Sequence, residues 1–163
     1  MFSPNNQEAR LVELTDVGLD GIADLDIAQV VEYWTAQSAG RMAPPLSDFH
    51  LDDISPPLLP RMSVLDFIGN PFDFRYRFFG TELVRLAGAD LTGKTHFADG
   101  VVLFGNANIK LLPRMIAEKR PFCHRVVWQS NRGSYFTLTT ARMPLSNDGT
   151  EITGAVTATY VAP

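Results

Sequence analysis

The chain has 163 residues, 45% hydrophobic and 20% charged, and 14 Lys and Arg against 18 Asp and Glu give a formal net charge of −4. These proportions fit one ordinary globular domain and exclude disordered, collagen-like and coiled-coil chains. No run nears the roughly 18 apolar residues of a membrane span. Met1 to Asn6 has neither the basic nor the apolar region of a signal peptide, and the pI of about 5.3 argues against nucleic-acid binding. The expectation is a cytoplasmic protein that engages neither membrane nor nucleic acid.

One cysteine, Cys123, excludes an internal disulfide and a multi-thiolate metal site. Phe supplies 11 aromatics against 4 Tyr and 2 Trp, so a Phe-rich core is implied. Charge is divided along the chain: ten acids and two bases run through Asp53, and eight acids and twelve bases follow from Ile54. This acidic leader can lie against the basic body, against another subunit, or simply face solvent.

Residues 1–23 carry the breakers Asp16, Gly18, Asp20 and Gly21 without sustained periodicity, which predicts a loose acidic arm. Residues 24–60 hold a helix and a connector. Ile27, Val30, Val31 and Trp34 form one apolar stripe at i, i+3, i+4 and i+7, with Asp26 as the expected N-cap and Gly40 as the stop. That stripe must be covered, either by the chain's own sheet or by a second subunit. From Ala43 to Pro60 five prolines predict an extended connector.

The core is expected over 61–163. Val64 to Ile68 and Asp73 to Phe79 read as strands around a Gly69-Asn70-Pro71 turn, the second with Phe74, Tyr76 and Phe78 alternating with Arg75 and Arg77. A short helix capped by Thr81 stops at Gly88, and a longer one carries Phe104, Leu111, Leu112 and Met115, with a kink expected at Pro113. Three strands close the chain: Phe122 to Gln129, Tyr135 to Pro144 and Ile152 to Val161, with turns at Asn131-Arg132-Gly133 and Asn147-Asp148-Gly149. The fold class is α+β, a five-stranded antiparallel sheet with flanking helices and an N-terminal amphipathic helix.

Chemistry-bearing motifs are sparse. His50, His96 and His124 lie in a connector, a loop and a strand, without metal-ligand spacing. Cys123 and His124 are neighbours on a strand and point to opposite faces, so Cys123 reads as a small buried hydrophobe. Nucleophile-elbow and glycine-rich nucleotide motifs do not occur. Phe74, Tyr76, Phe78, Phe104, Trp128, Phe136 and Tyr160 instead converge on one face, where they either line a pocket for a small apolar ligand or fill the core.

The segment Trp34 to Lys94 resembles the PAS-like domain family of the short stand-alone type found in alphaproteobacteria. The resemblance is carried by Trp34 with Arg41, Leu59-Pro60, Asp66, the phrase Asp73-Phe-Arg-Tyr-Arg-Phe-Phe-Gly-Thr81, and Gly88-Ala-Asp-Leu-Thr-Gly93. Ala43-Pro-Pro-Leu-Ser47 departs from the Pro-x-Arg-like phrase expected there, so no arginine role is carried over. The resemblance implies a five-stranded sheet, a helix used in dimerisation and a cavity between sheet and helices, in a sensory or interaction module without catalysis. It names no cofactor: the cysteine is not in a flavin-adduct helix, and the long helix offers no histidine for haem, which leaves His96 or His124 as the alternative haem ligands.

The expected function is therefore PAS-type sensing or regulation through protein contact, as a homodimer through Ile27, Val30, Val31 and Trp34 or with a signalling partner. The alternative is a small lyase or isomerase with Asp66 or Asp73 as acid and His124 as base.

Overall fold

Three strand pairings of the sheet join strands adjacent in sequence, and the other two join distant partners. In a computed structural model of the chain, which describes residues 9–20, 22–70, 72–101, 105–130 and 132–163, six antiparallel strands form one sheet. They are β1 (Arg10–Asp16), β2 (Met62–Ile68), β3 (Asp73–Phe79), β4 (Phe122–Gln129), β5 (Tyr135–Leu145) and β6 (Gly154–Val161). The order across the sheet is β1-β4-β5-β6-β2-β3. Helix α1 (Leu25–Ser38) covers one face, and α2 (Thr81–Ala87) and α3 (Gly105–Glu118) belong to the other.

The expected five strands become six because Arg10–Asp16, assigned to a loose arm, pairs with β4. Its partner lies more than a hundred residues away, and a bulge between Leu11 and Glu13 blurs its alternation. The expected turn residues Pro71 and Asn131, and Phe104, lie outside the described residues. The connector is also corrected: it coils into short 3-10 turns at Leu46–Asp48, Leu51–Asp53 and Pro56–Arg61 rather than running extended. Helix α3 continues through Pro113, whose position is exposed, so the carbonyl it leaves unbonded one turn back need not be buried.

Asp24, not Asp26, caps α1, its carboxylate accepting from the Ile27 N–H at 2.9 Å. The helix stripe is turned onto the chain's own sheet. Ile27, Val30 and Trp34 are buried there, and the Trp34 indole Nε1–H donates to the Pro144 carbonyl of β5 at 2.7 Å. This corrects the stripe as a dimer surface, since only Val31 of the four is left half-buried. Burying an indole with its N–H satisfied commits this stripe to the chain's own sheet.

The acidic leader meets the basic body within one chain. Arg61 pairs with Asp24 at 3.5 Å and with Asp26 at 3.2 Å, and Arg125 pairs with Glu13 at 3.1 Å. The Arg125–Glu13 pair is exposed and contributes little, while Arg61 and Asp24 are partly buried.

Two substitutions test this frame. Trp34→Phe leaves the Pro144 carbonyl unsatisfied and should cost about 1–3 kcal/mol, read as a lower urea midpoint with sedimentation unchanged. Gly154→Ala should cost at least about 1 kcal/mol, because a Cβ there would stand 2.5 Å from the Leu65 carbonyl oxygen across the β2–β6 seam.

Candidate functional site

Strand alternation sorts the side chains into two faces. On β5, Leu138, Thr140 and Arg142 share the helix-side face with Val126 and Trp128 of β4, their neighbours through the β4–β5 register. Thr157 and Thr159 of β6 continue that face, followed by Ser63 of β2 and Tyr76 and Phe79 of β3. Leu83 of α2 and Ala107 and Asn108 of α3 roof it. Between these elements lies a cavity of about 40 Å³.

Its two halves differ in chemistry. Phe79, Leu83, Val126, Trp128 and Leu138 form an apolar wall. Across from them, the Ser63 and Thr157 hydroxyls hydrogen-bond to each other, as do those of Thr140 and Thr159 at 3.0 Å. Arg142 stands at the end of this polar ladder, only 5% exposed. Its Nε–H donates to Asn108 Oδ1 at 3.0 Å, while Nη1 has no partner among the described residues. Tyr76 Oη is likewise buried and unpartnered: Asn108 is close enough to pull its pKa down, but no hydrogen bond of normal geometry joins them.

Burial raises the Tyr76 phenol to about 12, opposed by Asn108 and Arg142, so it stays a protonated donor at neutral pH. Burial lowers the Arg142 guanidinium to about 10, which leaves it charged. A buried cation is costly without an anion beside it.

Of the seven aromatic residues expected at the site, Tyr76 and Trp128 line the cavity. Phe74 is buried next to it with its ring 5.6 Å from that of Tyr76, and Phe136 lies across from Trp128 in the sheet. Phe78 and Tyr160 are corrected. A bulge at Arg77 shifts the β3 register, so Phe79 takes the inner face and Phe78 the outer. Tyr160 alternates with Thr159 and lies on the opposite face, 37% exposed. There it borders a groove of about 420 Å³, whose charged groups Asp24 and Arg125 are already paired with Arg61 and Glu13. The smaller cavity is the stronger site because two of its buried donors, Arg142 Nη1 and Tyr76 Oη, have no partner among the described residues.

The residues weighed for catalysis are held elsewhere. Asp66 pairs with Arg75 at 3.2 Å and Arg77 at 3.0 Å on the outer face. Asp73 is pushed up by burial, but the N–H groups of Phe97, Phe74 and Ala98 outweigh that and hold its carboxyl below the ordinary range. His96 stacks on Phe74 at 4.9 Å. His124 is buried beside Phe122, Cys123 is fully buried, and burial raises its thiol to about 11.

Sequence reasoning missed Arg142, Asn108 and the hydroxyl ladder. One signal was available: Arg142 falls in the same alternating phase as Phe136 and Leu138, a charge in an otherwise buried row. No family model matches the sequence, and no curated protein or solved structure is significantly similar to it. Among the described residues, no helix is long and apolar enough to cross a membrane.

His124 supplies a pH test. Burial, then the nearby Arg142 charge, lowers its imidazole from 6.5 to about 4. The unfolded chain therefore binds the extra proton between these values, and stability should fall by roughly 1–3 kcal/mol as pH drops from about 6.5 to about 4. Urea midpoints compared across that range should show the decline flattened in His124→Leu.

Proposed function

We propose that the chain is a cytoplasmic PAS-type sensory or regulatory module. A small molecule held between the sheet and helices α2 and α3 sets how those helices sit, and the change leaves by protein contact, in a homodimer or with a signalling partner. The cavity, with Arg142 Nη1 and Tyr76 Oη buried and without a partner among the described residues, is the observation that carries this reading.

The motif residues agree with it in kind. Leu59-Pro60 and Gly80 meet where a Cβ on Gly80 would come within 2.5 Å of the Leu59 carbonyl oxygen, so glycine is needed for β3 to turn into α2 beneath the connector. Asp90 accepts from the Thr92 N–H at 2.9 Å, and Gly93 donates to the Tyr76 carbonyl at 2.6 Å, which fastens the Asp-Leu-Thr-Gly turn to β3. Trp34 and Arg41 anchor and finish α1. The phrases behind the resemblance thus build the frame around the cavity. The outward pairing of Asp66 and the capping role of Asp73 favour binding over acid–base turnover.

Native mass spectrometry of the protein purified from cells tests the proposal. A co-purifying small molecule is expected, and Ala107→Phe, which fills the cavity from α3, should abolish it. A bare-chain mass for the unaltered protein, or a bound molecule that survives Ala107→Phe, would overturn the sensory reading.

A further inference from the structure

We infer that the cavity takes a short aliphatic carboxylate, its anionic head on Arg142 Nη1 and Tyr76 Oη and its apolar tail against Val126, Trp128 and Leu138. The inference rests on the sensory reading of this cavity and names the chemical class that it recognises.

Four observations converge on it. The Arg142 side chain is more than nine-tenths buried and lines the cavity, and among the described residues its one hydrogen bond is from Nε–H to Asn108. Nη1 has no acceptor among the described residues, and no described carboxylate lines the cavity. A guanidinium in that state is matched by an anion with hydrogen-bond acceptors, and a carboxylate fits its planar donor geometry. Tyr76 adds a neutral donor at the same cavity and no negative charge, so it suits an oxygen anion that accepts from both groups.

On the neighbouring strand, burial and then Arg142 do most to oppose protonation of His124; Asp16 pulls the other way less strongly than Arg142, and Arg114 and Arg120, 5.6 and 5.3 Å from the Phe122 ring, add smaller contributions of the same sign as Arg142.

Size and wall chemistry narrow the class. About 40 Å³ corresponds to space for about three waters, which excludes a nucleotide or a haem and suits a carboxylate with a tail of one to a few carbons. The tail has an apolar wall to meet. The Ser63–Thr157 and Thr140–Thr159 hydroxyls are already paired with each other, so the ligand need not carry further polar groups along its length.

The test compares sodium propionate with the neutral isostere propionamide, each at millimolar concentration in the same sodium chloride background. The full-length protein is first refolded from urea to release what it carried from cells. Propionate should raise Tm by about 3 °C while propionamide leaves it unmoved. Titration calorimetry should show at least a tenfold weaker propionate Kd for Arg142→Met and a smaller loss for Tyr76→Phe. The second variant keeps the test open if the first folds poorly.

Equal responses to propionate and propionamide, no response to propionate, or full propionate affinity in Tyr76→Phe together with Arg142→Met would overturn the inference. A neutral molecule in the native mass spectrum, lost on Ala107→Phe, would also overturn it while leaving the sensory reading in place. The absence of any bound mass is the separate result that removes the sensory reading itself.

Discussion

The seam between β2 and β6 is the constraint on which the architecture depends. It joins a hairpin from the first half of the chain to three strands from the last third, between positions about ninety residues apart in sequence, and no hairpin turn enforces it. Its close approach requires Gly154, whose missing side chain makes room for the Leu65 carbonyl. Closing the seam sets Ser63 against Thr157 on the helix side and lets the sheet carry α1 on its back. The polar floor of the cavity and the covering of the amphipathic helix are thus consequences of one long-range pairing. The entropy of closing so long a loop is met by continuous sheet hydrogen bonding and a fully buried centre.

Within that frame the energetics are uneven. Most of the interior is apolar and close-packed, with Leu111, Leu112, Met115 and Phe122 fully buried beside the site. Against this background Arg142 stands out, because each buried hydrogen bond contributes about 1 kcal/mol while an uncompensated buried charge costs several. Replacing it with an apolar residue would relieve that cost, so stability alone does not account for an arginine at this position. Recognition of an anion does, and it turns an unfavourable feature of the free protein into a favourable one of the complex.

Much of the fold was legible in the residues. The boundaries of β3 and β4 follow directly from their alternation, and α2 stops at Gly88 as its left-handed conformation requires. Local signals failed where a distant partner decides the outcome. Arg10–Asp16 becomes a strand only because β4 offers an edge, and the stripe of α1 shows that it needs covering without showing by what. A single bulge exchanges Phe78 for Phe79, since one extra residue reverses every later side chain on a strand. The candidate site was the least legible part. Aromatic residues drew attention because they are conspicuous in sequence, yet the distinctive chemistry lies in Arg142, Asn108 and paired hydroxyls that only the sheet register assembles.

The account stands on one local state, a charged Arg142 that lines the cavity and whose Nη1 has no acceptor among the described residues. A high-resolution crystal structure of the protein as purified from cells measures that state directly. The account predicts planar density within hydrogen-bond distance of both Arg142 Nη1 and Tyr76 Oη, with a tail directed at Trp128. An Arg142 Nη1 bonded to a carboxylate or carbonyl of the chain itself, with the cavity closed by side chains, would contradict it.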